Sequence, residues 1–130
     1  MRTGDVVIIG IGTDIVHIPR IESVLDRQGN SFICRILSET ELKNTGTTIN
    51  AAFIAKRFAA KEAIAKALGT GIGNGVSFHD MSINHDEMGA PYVSLSGGAE
   101  KVMKEKRATQ VLISISDEQE YAIAYAVLSK

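Results

Sequence analysis

The run Val6–Ile11 is apolar, β-branched and uninterrupted, so it predicts a first strand buried on both faces. Ile18, Ile21 and Leu25 then recur at spacings of three and four, the period of a helix seated on a core. Ser38-Glu39-Thr40-Glu41 has the pattern of a capping box and predicts a second helix start. From about Ile49 to Leu68 the chain is rich in Ala, Lys, Glu and Leu, with Gly69 where a C-terminal cap is expected, and this is the strongest helix signal. Downstream the period falls to two. Met81–Asn84 and Tyr92–Leu95 flank turn residues Asp86–Pro91 and predict a hairpin. A helix over about Gly98–Lys106 follows, then a second hairpin, Val111–Ser116 with Tyr121–Leu128 around Asp117–Glu120. The order predicts an α+β fold, a largely antiparallel sheet with helices packed on one side.

At 130 residues, without repeats or a Pro/Gly/Ser-rich linker, the chain is expected to form one domain over 1–130. Its 14 basic and 15 acidic residues give a net charge of -1, which argues against sequence-independent nucleic-acid binding. Aromatic residues are 5% with no Trp, too few for a base-stacking platform. Val6–Ile11 is far shorter than the roughly 20 residues of a membrane span. Met1–Asp5 lacks the pattern of a secretory leader, so a cytoplasmic protein is expected. Cys34, the single cysteine, can form no internal disulfide and reads as a small buried hydrophobe.

Ile54, Phe58, Ala65 and Leu68 form one stripe of the long helix, and Lys61 falls inside it. Either its stem is buried and its ammonium reaches water, or it lines a cleft and faces an anion, with Arg57 one turn earlier on nearly the same bearing. Glu62 and Lys66 lie one turn apart on a second stripe, which as spacing alone is an ordinary surface pair. Asp14 stands among apolar residues at the expected strand end, where an ionised carboxylate needs a cation or several donors; a turn or capping role explains it nearly as well. If the long helix crosses this strand end, Asp14 and Glu62 together suit magnesium, which takes one or two carboxylates plus waters and substrate phosphates.

Gly69-Thr70-Gly71-Ile72-Gly73-Asn74-Gly75 has four glycines in seven residues: a flexible turn, or a loop whose N–H groups cradle phosphate or nucleotide. It lacks P-loop spacing, and Gly10-x-Gly12 lacks the third glycine of a dinucleotide fingerprint. His17, His79 and His85 have no metal-ligand spacing and read as surface or core fillers.

Taken together, Gly12-Thr13-Asp14-Ile15-Val16 with Pro19-Arg20-Ile21, then Arg57-Phe58-Ala59-Ala60-Lys61-Glu62-Ala63 with Lys66, then Gly69-Thr70-Gly71-Ile72-Gly73, resemble the short bacterial class of 4'-phosphopantetheinyl transferase, the holo-[acyl-carrier-protein] synthases. The resemblance runs from about Ile9 to the final strand. It implies transfer of 4'-phosphopantetheine from coenzyme A to a serine of apo acyl carrier protein, releasing adenosine 3',5'-bisphosphate, in fatty acid biosynthesis. It implies that Asp14 and Glu62 ligate Mg2+, that Arg57 and Lys66 contact the coenzyme A phosphates, and that Gly69, Thr70, Gly71 and Ile72 of the loop hold the adenosine end. Arg20 would face the acidic carrier protein, and the chain would form a homotrimer with sites at subunit interfaces. In that chemistry Lys61 or Lys66 adds fixed positive charge, and Glu62 or a water on the metal takes the serine proton. One departure is visible: where some relatives read Ser-x-Ser/Thr-His in the final hairpin, this chain has Ser114-Ile115-Ser116-Asp117, and Asp117 cannot donate to a phosphate as His can. Two other classes compete: a non-catalytic module that binds a nucleotide or coenzyme A, and an acyltransferase that uses acyl coenzyme A.

Overall fold

The computed structural model describes residues 6–45 and 49–130; Met1–Asp5, read above for a leader, lie outside them. In chain order the elements are β1 (Ile8–His17), α1 (Ile18–Gln28), α2 (Asn30–Ile36), α3 (Glu39–Asn44), α4 (Ala51–Leu68), a 3-10 turn at Phe78–Asp80, β2 (Met81–His85), β3 (Pro91–Leu95), α5 (Gly97–Glu105), β4 (Gln110–Asp117) and β5 (Tyr121–Ser129). All strand pairing is antiparallel, but the strands divide between two sheets, ordered β1-β5-β4 and β2-β3.

Helix α4 organises the molecule. It is buried on nearly all sides, including Ile54, Ala59, Ala60, Ala63, Ile64 and Leu68. It lies on β1 and β5 and meets α1, α2, α5 and β4. On β5 the side facing it is Ala122, Ala124, Ala126 and Leu128, a small-residue column that lets helix and sheet approach. On β1 the approach is closer still. A Cβ on Gly10 would stand 2.0 Å from the Ala67 carbonyl oxygen, and one on Gly12 would stand 2.0 Å from that of Ala63. Gly10-x-Gly12 is therefore a helix-packing feature, and any larger residue there would push the helix off the strand.

Strand β1 differs from its expectation. It begins at Ile8, continues through Asp14 to His17, and is buried on one face only. Gly12 and Val16 face α4, while Ile11 and Ile15 are 62% and 60% exposed. Helix α2, which the hydrophobic pattern did not announce, follows a chain reversal at Gly29, whose φ of 55° suits glycine, and anchors by Phe32 and Ile36. Cys34 on α2 is exposed, correcting the buried reading, because the two core positions of this short helix are already filled. No helix among the described residues is long and apolar enough to cross a membrane.

Candidate functional site

Alternation along β1 places Asp14 two positions beyond Gly12, on the side that faces α4. Asp14 is thus mid-strand, opposite Ala124 of β5, rather than at a strand end as its sequence context suggested. The close β1–α4 approach sets its carboxylate against the part of α4 that carries Glu62 and Lys66, one turn apart. Lys66 Nζ donates to Asp14 Oδ1 at 3.1 Å and to the Thr13 carbonyl at 2.9 Å. Lys66 accordingly leans across to the strand in addition to its position beside Glu62. The Glu62 carboxyl is pushed above the usual carboxylate range, first by partial burial and then by the negative charge of Asp14, with Lys66 opposing. Two acids from separate elements therefore share one electrostatic environment, and Lys66 partly neutralises it. Asp14 is 18% exposed and Lys66 51%, and a cavity of about 280 Å³ lined by Ile11, Gly12, Thr13, Lys66 and Tyr125 opens beside them. Among the described residues no group of three or more His, Cys, Asp and Glu could hold a metal ion. A hard cation at this corner would have two protein carboxylates and would need further oxygens from water or a ligand.

Lys61 lies elsewhere, which corrects both readings offered for it. Its side chain is fully buried, and Nζ donates to Glu41 Oε1 at 2.5 Å, the Ile36 carbonyl at 2.7 Å and the Phe78 carbonyl at 3.1 Å. All three ammonium donors have protein acceptors, so it reaches neither water nor a cleft. Burial lowers its pKa, opposed mainly by Glu41. Glu41 is the hub that sequence reasoning missed. The predicted capping box forms, Glu41 N–H donating to Ser38 Oγ at 3.2 Å and Ser38 N–H to Glu41 Oε1 at 2.9 Å. The same carboxylate also accepts from Ile83 N–H at 3.1 Å and lies 3.3 Å from Arg57 Nε. It ties α3, α4 and β2 together.

Arg57 is only 7% exposed. Its guanidinium lies over the Phe53 ring at 4.7 Å, and burial lowers its pKa against the pull of Glu41. Its Nε faces Glu41 without hydrogen-bond geometry. It borders a cavity of about 550 Å³ shared with Asn44, Phe53, Asn84, His85 and Tyr92, and a smaller one towards Asp117. At 100° per residue, Arg57 and Glu62 stand roughly 140° apart around α4. One molecule therefore turns them towards different surroundings.

The glycine loop is also corrected in part. Gly69 caps α4 in the left-handed region at φ 84°, and the N–H groups of Gly69, Thr70 and Gly71 return to the carbonyls of Ala65 and Lys66. The Gly73 N–H donates to the Val76 carbonyl at 2.8 Å. These donors satisfy the helix end and a tight turn, so they do not form a phosphate cradle here. Ile72 packs against the core. Arg20 is exposed in the first turn of α1. The three histidines are exposed; His79 Nε2 meets the Cys34 carbonyl at 2.5 Å, and His17 packs on Tyr121.

Residues 10–126 match the family model described as the 4'-phosphopantetheinyl transferase superfamily. The chain is 47% identical over 124 residues to the holo-[acyl-carrier-protein] synthase of Vibrio cholerae, covering 95% of this chain and 98% of that one. The crystal structure of the holo-[acyl-carrier-protein] synthase from Neisseria meningitidis aligns at a TM-score of 0.88 and 41% identity, covering 95% of this chain and 100% of that one. The Helicobacter pylori holo-[acyl-carrier-protein] synthase, solved in complex with coenzyme A, aligns at 0.79 and 37% identity, covering 91% and 98%. A match that extends from β1 into β5, with relatives covered almost end to end, shows that this chain belongs to the 4'-phosphopantetheinyl transferase superfamily, among its holo-[acyl-carrier-protein] synthases.

Proposed function

We propose that this chain, as one domain over 1–130, transfers 4'-phosphopantetheine from coenzyme A to a serine hydroxyl of apo acyl carrier protein, releases adenosine 3',5'-bisphosphate, and uses Mg2+ held by Asp14 and Glu62. The observation that carries the reading is the convergence of those two acids, one on β1 and one on α4, close enough that the charge of Asp14 helps raise the Glu62 pKa. Two half-sheltered carboxylates beside an open cavity fit magnesium, whose remaining positions are filled by water and phosphate oxygens. When bound, that ion would supply positive charge to the diphosphate of coenzyme A and to the 5'-phosphate of the departing adenosine 3',5'-bisphosphate.

The chain's own residues do the rest. Lys66, half exposed and only hydrogen-bonded to Asp14 and a carbonyl, can offer its ammonium to a phosphate. Glu62, or a water on the metal, would accept the serine proton. Lys61 is withdrawn from this role by its burial against Glu41. Cys34 and the histidines need no part, because phosphoryl transfer asks mainly for positioning and for charge at the transferring group.

Assembly follows from what one molecule lacks. Arg57 is expected to contact the coenzyme A phosphates, yet it stands about 140° around α4 from Glu62. Meanwhile the outer face of the β1-β5-β4 sheet exposes Ile11, Ile15, Leu112, Tyr121, Ile123 and Tyr125. An apolar face of this kind marks an association surface. The reading is a homotrimer whose sites join the acids of one protomer to Arg57 of the next. Arg20, exposed on α1, would meet the acidic carrier protein.

The test is mass spectrometry of an apo carrier protein incubated with the enzyme, coenzyme A and Mg2+. The carrier should gain one phosphopantetheine, and only while Mg2+ is present. An unmodified carrier with bound coenzyme A would establish a binding module instead, and an acyl mass would establish an acyltransferase.

A further inference from the structure

The end of β4 carries Asp117, a carboxylate at a place where it would repel a phosphate, and the structure gives it a partner. Lys56, the neighbour of Arg57 on α4, has its Nζ 3.8 Å from Asp117 Oδ1, with both side chains partly exposed, 35% and 41%. The two residues and Arg57 line a cavity of about 180 Å³ with Phe53, His85 and Pro91. The fields of Lys56 and Arg57 both reach His85, whose pKa they help to lower after burial, while Asp86 opposes them. The negative charge behind Arg57, on Glu41, is shared with Lys61. The pocket therefore has two cations against one carboxylate, and an exposed pair at this separation contributes little to stability. Its charge and position are the features left to explain.

We propose that Lys56, steered by Asp117, is a second phosphate-facing cation beside Arg57 and sets this chain's affinity for coenzyme A. The inference rests on the transferase reading above and adds a residue that the resemblance did not assign. In it Asp117 neutralises none of the ligand's charge; it orients a flexible lysine at the mouth of the pocket and thereby compensates for the missing histidine. Lysine suits the position because its ammonium is a compact point charge on a long stem.

The test is isothermal titration of coenzyme A with Mg2+ into the whole protein, with steady-state kinetics on the carrier protein alongside. Lys56→Gln should weaken Kd about tenfold, equivalent to about 1.4 kcal/mol and within the range of one hydrogen bond to a charged group. KM for coenzyme A should rise in parallel while kcat holds. Lys56→Arg should restore binding to within about twofold of the parent. Asp117→Asn should weaken Kd by less than Lys56→Gln does, because it frees the lysine without removing its charge. If Lys56→Gln binds as the parent does, or if Lys56→Gln and Asp117→Asn weaken binding by the same factor, the pair is only a clamp between α4 and β4 and the inference is overturned. A parent protein that neither binds coenzyme A nor modifies the carrier would instead overturn the transferase reading itself.

Discussion

Lys61 and Lys66 stand five residues apart on α4, and each reaches a carboxylate on another element. Lys61 meets Glu41 in the interior, with all three of its ammonium donors partnered and no solvent exposure on either side chain. Lys66 meets Asp14 at the β1 edge of a cavity, half exposed, with a third charge, Glu62, held at a raised pKa nearby. The same residue types thus make a strut in one place and a reactive corner in the other. Burial with full satisfaction fixes the first geometry and leaves nothing for a ligand to exchange. Partial exposure with surplus negative charge leaves the second able to accept a cation.

The contrast can be broken most severely at the reactive corner. Glu62→Gln should lower transfer by about four orders of magnitude, or about 5.5 kcal/mol of transition-state stabilisation, in a carrier-modification assay. The folded state should survive it. Glu41→Gln reverses the pattern: it leaves Lys61 and Arg57 buried against a neutral amide and should cost about 3 to 5 kcal/mol of stability, read by urea unfolding. Gly12→Ala tests the framework common to both, since its Cβ would collide with the Ala63 carbonyl; about 1 to 3 kcal/mol of stability should be lost, and transfer should fall further than stability does because Asp14 moves with the strand.

A finer test uses pH. The Glu62 pKa is raised on folding, so its contribution favours the folded state below the ordinary glutamate pKa and is lost as pH climbs through the raised value. Without divalent cations, Glu62→Gln should therefore melt above the parent near neutral pH, and the gap should close as pH falls towards about 4, near the ordinary glutamate pKa. Equal melting curves at neutral pH would mean that Glu62 and Asp14 do not burden each other. The smallest effect belongs to the surface: Arg20→Glu should slow carrier association severalfold and flatten its dependence on salt, leaving the melting temperature unchanged.

Much of the fold follows from periodicity. Both hairpins, the long helix with its Gly69 cap and the Ser38–Glu41 capping box are all set by local pattern, and the structure has each of them. The differences arise where tertiary contacts decide. The box gives no hint that Glu41 turns inward, because a capping glutamate and a buried hub have the same spacing. Val6–Ile11 reads as buried on both faces, but only the β1 face towards α4 is covered in this molecule. The glycines at positions 10 and 12, which lack the third glycine of a nucleotide motif, serve helix packing, a role that no local pattern announces. At the candidate site the sequence supplies Asp14, Glu62 and Lys66, while their meeting depends on a close strand-to-helix approach that no local window contains. A useful signal was available in Gly10-x-Gly12-x-Asp14, whose alternation puts both glycines and the acid on one side of the strand.

The most direct examination of the central reading is anomalous diffraction at the manganese edge from crystals grown with coenzyme A and Mn2+ in place of Mg2+. One peak should lie between the carboxylates of Asp14 and Glu62, in contact with the diphosphate. A peak held by only one of the two acids, or none beside them while coenzyme A is bound, would contradict the account.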